Sequence, residues 1–177
     1  ADGEVDASWN PGTDGVVNTF APDGAGSVFV AGNFRQIAGQ SRGSLAKLGD
    51  GPGANLDALW QANLDVGARV EDLELDGTGS LFVGGIGFHS VNGIECCLGL
   101  VKLAVSGSGA RDTLWKIRPI GSFGLFFDLQ MDTQGRLYIA GSFNALDQGG
   151  NVYAGSGLAR VSAQGVGTVD AGWTPIA

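Results

Sequence analysis

The chain has 177 residues, 32 of them glycine, and 10 basic against 18 acidic residues give it a net charge of −8. This length suits one domain with a sizeable core, and a hydrophobic content of 44% excludes a disordered chain. The negative charge opposes a phosphate backbone, so no nucleic acid is expected as partner, and no apolar run approaches the ~18 residues of a membrane-spanning helix, so no membrane insertion is expected either.

In chain order, the segment 4–10 comes first, with Asp6 and Trp9. An apolar stretch from Val16 to Asp23 leads into a glycine turn at Gly26, then Phe29 to Phe34, a loop, and Leu45 to Leu48. Asp57 and Trp60 follow. The same order returns twice: Arg69 to Asp76, Gly79, Phe82 to Phe88, Leu100 to Leu103, Asp112 and Trp115; then Leu125 to Asp132, Gly135, Tyr138 to Phe143, Leu158 to Val161, Asp170 and Trp173. Short runs rich in β-branched and aromatic residues, bounded by Gly, Asn and Asp, read as strands. The class is all-β.

The repeat is the main signal. Every tryptophan has an aspartate three positions before it: Asp6 and Trp9, Asp57 and Trp60, Asp112 and Trp115, Asp170 and Trp173. The basic residues Lys47, Lys102 and Arg160 each stand 13 positions before a tryptophan, so a fixed turn joins those two segments. Each unit is read as four short antiparallel strands, a to d, with d carrying the Asp-x-x-Trp. That is the size and plan of a β-propeller blade. The reading is a single repeat domain over 1–177, with blades at approximately 16–62, 69–118 and 125–176 and an unmatched outer strand at 4–10. The strand-b glycine is expected to let neighbouring backbones approach closely.

The unit resembles the delta-60 repeat, a bacterial β-propeller family of unknown function. The first repeat carries the pattern in Asp6, Ser8, Trp9, Pro11, Val17, Asp23, Gly24, Val30, Gly32, Phe34, Gly39, Arg42, Leu45, Ala46, Lys47 and Leu48. The second repeat has Cys96-Cys97 in place of the region around Arg42, and the third has a longer b–c loop at 144–157. The resemblance implies kelch-like four-stranded blades and an extracellular setting, and it implies no reaction. Kelch blades proper would carry a double glycine in each repeat, and only the second has one, Gly84-Gly85.

Three blades do not close a ring, since propellers typically need at least four. The chain is therefore expected to be part of a longer propeller, to pair with a second copy into six blades, or to add head to tail. The start at Ala1 fits a mature secreted product or an excised fragment.

Candidate sites follow from residue chemistry. Cys96 and Cys97 are a candidate vicinal disulfide, although extended backbone would point them to opposite faces. No catalytic or metal site is expected: His89 is the lone histidine and lacks partners at catalytic spacing. Asp23, Asp76 and Asp132 would suit calcium, but hairpin-turn chemistry explains them more simply. Asp6, Asp57, Asp112 and Asp170, with the four tryptophans, are expected to lock and pack blades. Where the repeats differ, in the d–a and b–c loops, stand Arg35, Arg42, Arg69, His89, Glu95, Lys116, Arg118, Phe123, Asp147 and Tyr153, residue types suited to protein or glycan contact. The expectation is a non-enzymatic extracellular or cell-surface module without cofactor, structural or interacting, self-assembling through its open edges. The alternative is a lectin-like adhesin that binds surface glycan on the loop face.

Overall fold

A computed structural model of the chain describes residues 3–120, 125–155 and 157–173. The described residues contain no helix. They form sixteen short strands in six antiparallel sheets. Three sheets repeat one plan. In the first unit β1 (Val16–Pro22) pairs with β2 (Ser27–Asn33), and β2 with β5 (Leu45–Gly49). In the second, β6 (Arg69–Leu75), β7 (Ser80–Ile86) and β10 (Leu100–Ala104) do the same. In the third, they are β12 (Leu125–Met131), β13 (Arg136–Ser142) and β16 (Leu158–Ser162).

The units are three-stranded, which corrects the expectation of four. The fourth strand is reduced in each unit to a single bridge: Leu48 with Leu56, Leu103 with Arg111, and Val161 with Val169. The reason is the Asp-x-x-Trp itself. The Asp57 carboxylate accepts the amides of Leu59 and Trp60 at 2.9 and 3.1 Å, and Asp112 does the same for Leu114 and Trp115. These amides are spent on a tight turn, so no ladder continues past the aspartate. The segment 4–10 is likewise no strand. Asp6 closes a turn by accepting the amide and hydroxyl of Ser8.

The stretches read as b–c loops hold hairpins instead. They are β3 (Gln36–Ile37) with β4 (Gln40–Ser41), β8 (Ser90–Val91) with β9 (Ile94–Glu95), and β14 (Ala145–Gln148) with β15 (Asn151–Ala154). Asn92-Gly93 turns the second with positive φ at both residues, as a tight hairpin requires. The position four residues after each of Trp9, Trp60 and Trp115 pairs with these hairpins: Thr13 with Ile37, Leu64 with Val91, and Pro119 with Leu146 within β11 (Ile117–Ile120).

Two further repeated features shape the units. The carboxylates of Asp23, Asp76 and Asp132 accept the amides two and four residues on, at 2.8–3.0 Å, and so cap the turns between first and second strands. A bulge kinks each first strand, between Val17 and Thr19, Val70 and Asp72, and Phe126 and Asp128. There Gly32, Gly85 and Gly141 meet the first-strand backbone so closely that an added Cβ would lie 2.1–2.2 Å from the carbonyl oxygens of Val16, Arg69 and Leu125. The close approach is thus to the unit's own first strand rather than to a neighbouring unit.

Two cores lie between units, and a smaller third one, Val28, Val30, Phe34, Ile37, Ala46 and Leu48 under Trp9, lies on the front of the first unit. The back of the first unit (Ala21, Phe29, Ala31, Leu45) and the front of the second (Val70, Leu73, Leu81, Val83, Phe88) make one core. The back of the second (Phe82, Leu100) and the front of the third (Phe126, Leu129, Leu137, Ile139) make another. The first strands β1, β6 and β12 pack side by side. A three-stranded sheet with two apolar faces cannot bury both alone, so the neighbour completes it.

Candidate functional site: the junctions between units

Trp60 and Trp115 are the wedges of the two internal junctions. Trp60 packs edge-on against Phe29 of its own unit, with ring centroids 5.1 Å apart, and its indole N–H donates to the Ala104 carbonyl of the next unit at 2.9 Å. Trp115 repeats this with Phe82 at 5.3 Å and the Ser162 carbonyl at 3.2 Å. The amide after each tryptophan follows: Gln61 donates to the Ser108 carbonyl and Lys116 to that of Val166. The indole lies close against a glycine of the receiving turn. A Cβ on Gly109 would stand 2.7 Å from the Trp60 ring, and one on Gly167 2.5 Å from the Trp115 indole nitrogen.

The basic residue of each unit works beside the tryptophan. Lys47 Nζ donates to the Val105 carbonyl at 3.0 Å, and Lys102 Nζ to that of Ala163 at 2.8 Å. Both ammonium groups stand 5.4–5.6 Å from a ring centroid, of Phe29 and Phe82 respectively. Lys102 is buried and also pairs with Asp112 at 3.3 Å. Burial raises the Asp112 carboxyl, but the amides of Leu114 and Trp115, with Lys102, hold it below the ordinary aspartate value. The junction is thus made of backbone acceptors met by one indole, one amide and one ammonium.

The first strands add a polar line. Asp72 accepts the Leu129 amide and Glu74 the Met131 amide, both at 2.7 Å, and Thr19 donates to Asp72 at 3.3 Å. Burial pushes both carboxyls up.

At the ends of the chain the same parts return. Trp9 donates to the Gly49 carbonyl at 3.0 Å, the position of Ala104 and Ser162, and packs on Val28, Val30 and Ile37. Trp173 packs edge-on against Tyr138 at 5.4 Å and under the Arg160 guanidinium, which is bound to Asp170. Arg160 holds the Asp170 carboxyl below its ordinary value.

The variable loops give a more scattered picture. Cys96 and Cys97 are joined as a vicinal disulfide. Both amides donate to the His89 carbonyl, and the pair lies just past the end of β9, outside any strand. The disulfide, exposed His89, Glu95, and Arg118 paired with Asp147 at 3.2 Å line one groove of about 690 Å³. Arg42 is buried, its guanidinium donating to the Ser41 carbonyl, which removes it from any loop surface. Arg69 pairs with Glu71 at 2.8 Å, Arg35 and Lys116 are exposed, and Tyr153 lies opposite Leu146 in the third hairpin. Phe123 lies outside the described residues.

Asp14 and Asp65 escaped the sequence reading. Asp14 accepts the amides of Arg35 and Gln36, and Asp65 those of His89 and Ser90, tying each post-tryptophan segment to its hairpin. Each stands five positions after a tryptophan, a register that would have exposed them.

Comparison of the chain with family models, curated proteins and solved structures finds no match.

Proposed function

We propose that the chain is a β-propeller-type repeat module of the delta-60 kind, extracellular or at a cell surface, with a structural or interaction role and no reaction of its own. What supports this is the doubled junction. Two unit boundaries use the same indole, ammonium and glycine, so the most repeated chemistry in the molecule is spent on joining units. The carboxylates with raised values, Asp72 and Glu74, accept amides of the neighbouring unit rather than facing a cleft. The acidic carboxylates that calcium would want are occupied by backbone amides in the turns.

Small-angle scattering of the intact chain tests the form: a curved row of three units is expected, and a straight stack would overturn the propeller reading. A glycan array tests the role. No binding is expected. A hit lost on Arg118→Ala with the fold intact would replace this reading with the adhesin one.

A further inference from the structure

We infer that the outer face of the first unit is a docking site for a second copy of this chain, which presents the back of its third unit. The inference rests on the stacked-unit reading above and adds the partner, the two faces and the register.

The internal junctions say what covers such a face. Phe20, Leu73 and Leu129 hold one register position, opposite Val30, Val83 and Ile139. Leu73 and Leu129 are 4% and 2% exposed beneath a preceding unit, whereas Phe20 is 67% exposed. Val17 stands open at the position where Val70 and Phe126 are fully buried. Beside them Trp9 packs on the buried Val28, Val30 and Ile37, and these four border an apolar groove of about 720 Å³ that Val17 and Phe20 share. At the other end, Leu158 is 37% exposed where Leu45 and Leu100 are each 1% exposed. Among the described residues, front and back of a junction are therefore both present, each without its counterpart.

The polar parts fit as well. Lys47 and Lys102 donate to the carbonyls of Val105 and Ala163, whose own amides bind Gly79 and Gly135. In the first unit that position is Asp50, whose amide binds Gly26. In the third unit the lysine position is Arg160. A docked copy would set Arg160 against the Asp50 carbonyl, with an exposed carboxylate beside it where the internal junctions have Val105 and Ala163. The end-to-end junction thus carries a charge pair that the internal ones lack. Asp128, at the register of Asp72, would take the Phe20 amide as Asp72 takes that of Leu129. One junction uses one Asp-x-x-Trp tail, so of Trp9 on one copy and Trp173 on the other, one is displaced. Such a contact is head to tail: it closes a ring of two copies or continues as a filament.

Sedimentation of the intact chain over a concentration series tests this. The mass is expected to rise above the 18.0 kDa of one chain. Phe20→Asp and Leu158→Asp each spoil one face and are expected to be monomeric alone, while their equal mixture forms a pair and goes no further. Asp50→Lys is expected to weaken wild-type association at least tenfold. A wild type that stays monomeric up to its solubility limit overturns the inference, as does self-pairing of Leu158→Asp, which would join two first-unit faces. Near-UV circular dichroism of the buried Trp60 and Trp115 is read on the same samples. A monomer that keeps this signal sinks the docking alone; a wild type that lacks it sinks the stacked-unit reading too. Should Leu158→Asp lose the signal, Gln130→Lys, exposed on the same face, replaces it.

Discussion

The second unit and the first present the same apolar face under different conditions. On the second, Val70 and Leu73 are covered by the back of the first unit, and Trp60 bridges the two sheets. On the first, Val17 and Phe20 stand open, while Trp9 covers Val28, Val30 and Ile37 and donates to the Gly49 carbonyl, the acceptor position of Ala104 and Ser162. Side chains of one kind at one register are thus core in one place and surface in the other. The two larger cores belong to the junctions, as nearest-neighbour stabilisation of repeat proteins requires, and on the first unit Trp9 closes only the smaller core around Val28, Val30 and Ile37.

The largest test of that difference is the tryptophan. Trp60→Ala should cost about 3–5 kcal/mol, since it empties a buried wedge, and Trp9→Ala less, about 1–3 kcal/mol, since a half-buried ring leaves the first unit's core and one hydrogen bond is lost. Urea midpoints of the two variants measure the gap, and equal losses would erase the distinction. The receiving turn comes next. Gly109→Ala forces a methyl into the Trp60 ring at a positive φ and should cost about 1–3 kcal/mol. Ala54 already occupies the same turn position of the first unit with a φ of 42°, so Ala54→Gly should stabilise by up to about 1 kcal/mol. Thermal melts would show the opposite signs.

The smallest effect is in pH. Asp72 and Glu74 have folded values above their unfolded ones, so their contribution is full below the unfolded value and is lost as pH rises through the folded one. Asp76 and Asp112 are lowered, although burial raises them, because turn amides outweigh it. Their stabilisation is full above 3.8, the ordinary aspartate value, and is lost as pH falls through the folded value. Stability should therefore rise on acidification from neutral pH and then drop. Glu74→Gln, which keeps an acceptor for the Met131 amide, should flatten the rise and leave the drop. Urea midpoints across the acid range would show it, and an unchanged rise would contradict the assignment.

Much of this was legible in sequence, and the physical reason for the rest is distance. The all-β class and the first three strands of each unit follow from short apolar runs between turn residues. The carboxylates of Asp23, Asp76 and Asp132 act over four residues, within reach of a local reading. The Trp60 acceptor lies 44 residues away and the Lys47 acceptor 58, so neither side chain announces which unit it touches. The expected fourth strand failed because the Asp-x-x-Trp that marks it also ends it. The hairpins at Ala38-Gly39 and Asn92-Gly93 were written in the sequence as turn pairs, but their flanks are too short for a strand pattern.

On the first unit's outer face, Val17 and Phe20 are open at register positions that a preceding unit covers in the second and third. Amide exchange at Phe20, measured as a function of protein concentration, tests the docking of a second copy there most directly. The Phe20 amide holds the register of Leu129, whose N–H is covered by Asp72. Exchange at Phe20 is expected to be fast in dilute solution and to slow, as concentration rises, toward the rate at Leu129. Exchange at Phe20 that stays fast at every concentration would contradict that docking.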